Sequence, residues 1–184
     1  MSNYNAYPAK GIDNKIQITQ NVLSSKLGFT NVDFYGRAQK VLSKDGKSFT
    51  PEFYAVWPKR KEVYYDSAKA PGGNVFFIDS DNHQIKKEKF EANIKVVFML
   101  NLEKLFVNGV SLFEGKTYWP DTEIQDTCYK LLKKLGTIEI TGIEKGIEDV
   151  LKGFDISNIK LNGMQPYHIF SINGILKYTF NCNH

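Results

Sequence analysis

Cysteine is scarce in this chain. Cys128 and Cys182 stand alone among 184 residues without a CxxC pair, so two free thiols in a reducing compartment are expected rather than a disulfide framework. Histidine is scarce too. None of His83, His168 and His184 is read with a partner at ligand spacing, so no zinc site is expected, and His168 is expected at the surface or a rim. No apolar run reaches the roughly 18 residues of a membrane helix. The opening Met-Ser-Asn-Tyr-Asn-Ala-Tyr-Pro has neither a basic start nor an apolar stretch, which predicts no signal peptide and a cytosolic product. Strong charge is also missing. A net charge of +4 tolerates an acidic partner but falls short of a dedicated nucleic-acid module.

Several chemical signatures fail as well. No serine stands in a Gly-x-Ser-x-Gly elbow, and no Ser, Cys or Thr has a discernible base. Asp79-Ser80-Asp81-Asn82 begins like a calcium loop but places Gln84 and Phe90 where Gly and Glu are required. A tight polar hairpin turn explains the same residues. Pro71-Gly72-Gly73-Asn74 would let backbone amides approach a phosphate, yet lacks the Lys-Ser/Thr and helix of a P-loop. The expectation is a non-enzyme without cofactor or metal.

What is present is an architecture. Aromatics reach 14% of residues, mainly Phe and Tyr, which favours strands and contact surfaces. Residues 1–12 are polar and read as an arm; 13–184 read as one domain, long enough for its own core. A helix follows with Asp13 as its cap, Ile16, Leu23 and Leu27 on one face, and Gly28 as the left-handed stop. Strands at 34–43 and 48–57 flank a turn at 44–47, with Pro51 marking an edge or a late start to pairing. Val63-Tyr64-Tyr65 and 74–79 read as a second hairpin with Pro71-Gly72-Gly73 at a mobile tip.

The stretch from Asn93 to Leu135 carries the strongest pattern. Ile94, Val96, Phe98 and Leu100 alternate with Val97 and Met99, as in a central strand covered on both faces. Residues 106–118 read as a loop. Then Pro120-Asp121 opens a helix whose face is Ile124, Cys128, Leu131, Leu132 and Leu135, closed by Gly136 with Lys133 and Lys134 in its last turn. A short strand at 137–141 and a short helix through Ile147, Val150, Leu151 and Phe154 follow. The segment 167–180 is strand-like, and Asn173-Gly174 is either a hairpin turn or a bulge in one long edge strand. The predicted class is α+β: an antiparallel, hairpin-rich sheet with two main helices on one face.

Two basic clusters remain. Lys86-Lys87-Glu88-Lys89 leads into the sheet. Lys59-Arg60-Lys61, bracketed by Phe53, Tyr54, Trp57, Tyr64 and Tyr65, has the interleaving of a single-stranded nucleic-acid binder in which Trp57 and Tyr64 stack bases while Lys59 and Arg60 hold phosphates. The plainer reading is a solvated loop whose aromatics enter the core or a subunit contact.

The order of elements resembles the tail-terminator, tail-completion and neck proteins of tailed bacteriophages, in particular those of Bacteroidota hosts. Three segments carry the likeness: Ile12-Asp13-Asn14-Lys15-Ile16-Gln17 through Gly28; Val96 to Leu105 followed by Asp121-Thr122-Glu123-Ile124; and His168 to Gly174. The resemblance implies a structural virion component without enzymatic activity. It would form a ring of its own copies, a hexamer or dodecamer, at the neck or head-proximal tail end. Its partners would be neighbouring neck and tail proteins and the DNA in the channel. The 50–92 and 137–165 regions exceed the smaller terminators. The surfaces expected to meet a neighbour are residues 1–12, Pro71, Gly72 and Gly73, and the final strand with Ile172 and Ile175.

Overall fold

A computed structural model describes residues 2–6, 9–43, 46–56, 59–86, 89–157, 159 and 165–179; at 55, 56 and 59 only the backbone is described. Trp57, the 44–45 part of the first turn and Cys182 lie outside the described residues. The elements in chain order are β1 (Asn3–Tyr4), α1 (Ile12–Lys26), β2 (Val32–Leu42), β3 (Phe49–Val56), β4 (Lys59–Glu62), β5 (Gly73–Lys86) and β6 (Lys89–Asn101). They continue with β7 (Phe106–Val107), β8 (Val110–Ser111), α2 (Asp121–Leu135), β9 (Ile138–Lys145), α3 (Ile147–Val150) and β10 (Tyr167–Tyr178).

The main sheet has the order β4-β3-β2-β5-β6-β10-β9 and is mostly antiparallel, so the fold is mixed α and β. β6 lies in its interior, paired on one side to β5 and on the other to β10. The alternation in its sequence sorts the two faces as expected. Ile94, Val96, Phe98 and Leu100 enter one core with Ile16 and Leu23 of α1 and Ile124, Cys128 and Leu132 of α2. Val97 and Met99 enter a smaller core with Val150, Leu151, Val63 and Ile169. Phe98 and Phe170 stack at the middle of the helix face, their centroids 4.7 Å apart and their rings nearly parallel. The α2 ending is also as read: Gly136 takes φ 67° and its N–H bonds Leu132 O. The Cys128 thiol is wholly buried, and burial pushes its pKa up, which leaves it inert.

Elsewhere the local signals misdirect. Asp13 does not cap α1; Gly11 holds that position, and Asp13 lies in the first turn bonded to Arg37. Pro71-Gly72-Gly73 is no hairpin tip. The chain crosses from β4 over the sheet to β5, which lies parallel to β2. The two glycines are buried in that crossing because nothing larger fits. A Cβ on Gly72 would stand 2.3 Å from Asn31 Oδ1, and one on Gly73, where φ is 136°, would stand 2.3 Å from Met99 O. Asp79 to Asn82 form a bulge within the long β5 rather than a turn, with Asp81 at φ 55°. The residues read as a loop include a β7–β8 hairpin closed by Asn108 and Gly109, both at positive φ. Asn-Gly is the sequence signal for such a turn.

Asn173-Gly174 is no hairpin turn: β10 runs on against β6 without a break, and the irregularity opposite it is an extra residue, Thr141, in β9. β10 is not an edge, because β9 lies outside it. Nor is β3 an edge, although β4 joins it only from Glu52, one residue after Pro51. The described part of residues 1–12 is tied down. β1 pairs parallel with β2 in the lane that β3 leaves empty, Tyr4 stacks on Tyr35 at 4.6 Å, and Ile12 belongs to the core. The buried Gln20 amide holds this arrangement by donating to Asn3 Oδ1, Tyr4 O and Phe34 O.

Candidate functional site

Among the described residues, those singled out from sequence do not meet in one place. Arg60 lies on the short edge strand β4 with its guanidinium 5.0 Å from the Tyr54 ring centroid, and Lys59 contributes the strand's first ladder pair. Lys61 is turned toward the arm: its ammonium sits 3.9 Å from the Tyr4 centroid, 4.8 Å from that of Tyr35 and 3.8 Å from Asp33 Oδ2. A cation between two rings and a carboxylate serves to pin β1. Tyr64 faces inward, its hydroxyl donating to Asp155 O, and burial raises its pKa. Tyr65 donates to Pro71 O at 3.0 Å. These tyrosines, both half-buried, hold the β4–β5 crossover against the sheet. Ile172 is fully buried on the helix face, while Ile175 is half-buried.

A polar cluster not foreseen in the sequence joins α1, β2, β5 and β10. Arg37 forks onto Asp13 with Nε–Oδ1 and Nη2–Oδ2 distances of 2.9 and 3.0 Å, and its Nη1 reaches Asp79 Oδ2 at 2.7 Å. The Asp81 N–H donates to Asp79 Oδ1 at 2.7 Å. His83 places Nε2 3.7 Å from that same oxygen and Nδ1 2.5 Å from Tyr178 Oη. Burial would raise the Asp79 carboxyl, but hydrogen bonds from Arg37 and from Asp81 outweigh it and hold the pKa below the ordinary range. Asp81 moves the other way, raised by desolvation and by the neighbouring Asp79. The signal was an arginine inside the apolar run Phe34-Tyr35-Gly36-Arg37-Ala38, since a charge at such a position requires a buried partner. His168 also departs from expectation. It is buried beside Phe170, its Nε2 has no partner, and burial lowers its pKa.

The two sheet edges differ. β4 is four residues long and reads Lys-Arg-Lys-Glu, the short charged edge that discourages strand addition. β9 is eight residues long, and its apolar residues recur at every second position until a bulge near Gly142. Among the described residues no strand lies on its outer side. Ile143 near its end is 38% exposed. A second open stretch is the outer half of β5, which parts from β2 after Ile78 and carries Ile85, 70% exposed, next to its last residue.

Among the described residues no group of His, Cys, Asp and Glu is arranged to hold a metal ion, and no helix is long and apolar enough to cross a membrane. Neither a protein-family model nor a curated protein matches the chain.

Proposed function

We propose that this chain is a structural ring subunit of a tailed-phage virion, positioned at the neck or the head-proximal end of the tail as a terminator or head–tail adaptor. The observation that carries the reading is the asymmetry of the sheet edges. An open, alternating β9 and an open outer half of β5 offer backbone donors and acceptors to a neighbour, whereas β4 repels one. Interfaces that are not self-complementary close into rings when the rotation allows, and strand addition supplies main-chain hydrogen bonds for such contacts. The order of helix, meander, central strand and second helix supports the same assignment, as do the exposed Phe106 and Val110 on the β7–β8 hairpin.

Native mass measurement together with negative-stain imaging tests the proposal. The expected result is a closed multi-copy particle that Ile143→Lys disperses into folded monomers. A wild-type chain that stays monomeric at high concentration, with no ring even beside neck or tail partners, overturns it.

A further inference from the structure

The face of the sheet opposite α1 and α2 is only partly covered, and it opens into a cleft of about 290 Å³ where the α3 layer stops. Its floor is set by register. Ile78 on β5 pairs with Lys95 on β6, and Lys95 pairs with Asn173 on β10, so three side chains from distant parts of the chain form one transverse row. Ser80, Asn93 and Thr141 extend that floor, and Val150, Lys152 and Phe154 from α3 and its following turn form the wall. Lys40 closes the far side, its ammonium 5.6 Å from the Phe154 ring centroid.

Three irregularities of the sheet converge on this place. β2 and β5 separate after the Ala38–Ile78 pair. The β5 bulge begins at Asp79, with Asp81 in the left-handed region. The bulge at Thr141 of β9, opposite Asn173 and Gly174, shifts the β9–β10 register. Bulges re-aim side chains and gather beside binding sites, and a non-glycine residue at positive φ is an added conformational cost of the kind found at functional positions. Charge divides the cleft. Lys95 is neutralised by Glu144 at 2.5 Å, and the Asp79 carboxylate points through the sheet to Arg37. Lys40 and Lys152 have no ion-pair partner among the described contacts, although Asp81 lies close enough to feel the charge of Lys40. Ile78, Val150 and Phe154 supply an apolar side between these cations.

We propose that this cleft binds a small organic anion with a flat ring. The ring packs against Phe154, Val150 and Ile78, and the anionic end, phosphate or carboxylate, is held by Lys40 and Lys152. The apolar wall with few convergent polar groups is the composition of a small-molecule site, and Lys–anion hydrogen bonds are charge-assisted. This inference stands apart from the ring reading, since a monomer would carry the same cleft.

Amide chemical-shift titration of the full chain tests it, with adenosine 5′-monophosphate and 2-naphthoate as ring-bearing anions and adenosine and inorganic phosphate as halves. One or both ring-bearing anions are expected to shift Ser80, Thr141, Phe154 and Asn173 at millimolar concentration. Whichever binds reports whether phosphate or carboxylate is preferred. Lys40→Gln and Lys152→Gln should each weaken that binding about tenfold, the factor for one lost charge-assisted contact. The halves should bind more weakly. No shift at the cleft with either ring-bearing anion at tens of millimolar overturns the proposal. So does an equal response to inorganic phosphate alone, which is charge condensation on surface lysines, or binding that both glutamine variants retain.

Discussion

The two faces of the sheet share every strand yet are built differently. On the α1/α2 side two helices of fifteen residues each lay apolar faces over an aromatic centre, and the charges near that core are locked in the Arg37 cluster. On the α3 side the covering is a four-residue helix, a crossover held by Tyr64 and Tyr65, and then the cleft. The difference teaches that the two faces are consolidated unequally, the larger core lying under the two long helices and the smaller one beside the cleft. Every second residue of a strand goes to the helix side; the alternate residues fill the smaller core under α3 and the crossover, and Lys95 and Asn173 beyond it line the cleft.

The sharpest way to break the comparison uses neighbours on β6. Phe98 and Met99 are both essentially unexposed but point to opposite faces. Phe98→Ala removes a stacked ring from the larger core and should cost about 4 kcal/mol, against about 2 kcal/mol for Met99→Ala, whose smaller core has room to relax. Urea denaturation of both variants measures the difference. Equal losses would show that the α3 face is as tightly consolidated as the helix face.

The next effect belongs to the polar lock. Removing the Asp79 charge leaves Arg37 half-buried with Asp13 as its remaining bonded carboxylate, so Asp79→Asn should cost about 3 kcal/mol at neutral pH, the low end for breaking a buried pair. The sign with pH follows from the direction of the shift. A carboxyl whose pKa is depressed by folding stabilises fully above its unfolded pKa, and that contribution disappears as pH falls through the folded value. Wild type should therefore lose stability below about pH 4, the ordinary aspartate pKa, and the variant should lose less over the same range. Asp81→Asn is expected to act oppositely and weakly, because the Asp81 carboxyl is raised, exposed and screened. Thermal melts from pH 3 to 7 read all three chains.

How much of this was legible in the sequence depends on whether the cause is local. The β6 alternation, the α2 face and its Gly136 stop are local facts, and the structure keeps each of them. The Asn108-Gly109 turn is equally local, a hairpin signal inside the residues that read as a loop. Pairing is a different matter. Pro71-Gly72-Gly73 has the composition of a hairpin tip, and nothing nearby tells that β5 will lie parallel to β2 instead of beside β4. The basic-aromatic stretch at 53–65 interleaves rings and charges along the chain, but where each goes depends on distant partners: Tyr64 and Tyr65 bond the turn after α3 and the crossover, and Lys61 lies against the arm. The cleft was invisible for the same reason reversed. Ile78, Lys95 and Asn173 are neighbours only through ladder register, and no motif spans them.

The smallest effect tests the open face most directly. Val150 is buried and carries the wall of the cleft on a one-turn helix. In a closed core its truncation would leave a cavity with no way to relax. Here the neighbouring wall borders solvent, so Val150→Ala should cost only about 1 kcal/mol, below the usual range for opening a tight core. The same variant widens the apolar side and should loosen a ring-bearing anion without touching Lys40 or Lys152, whereas Phe98→Ala at permissive temperature should leave that binding unchanged. A chain in which Val150→Ala costs as much as Phe98→Ala would mean that α3 is part of the folding core. The contrast between the two faces would then be lost.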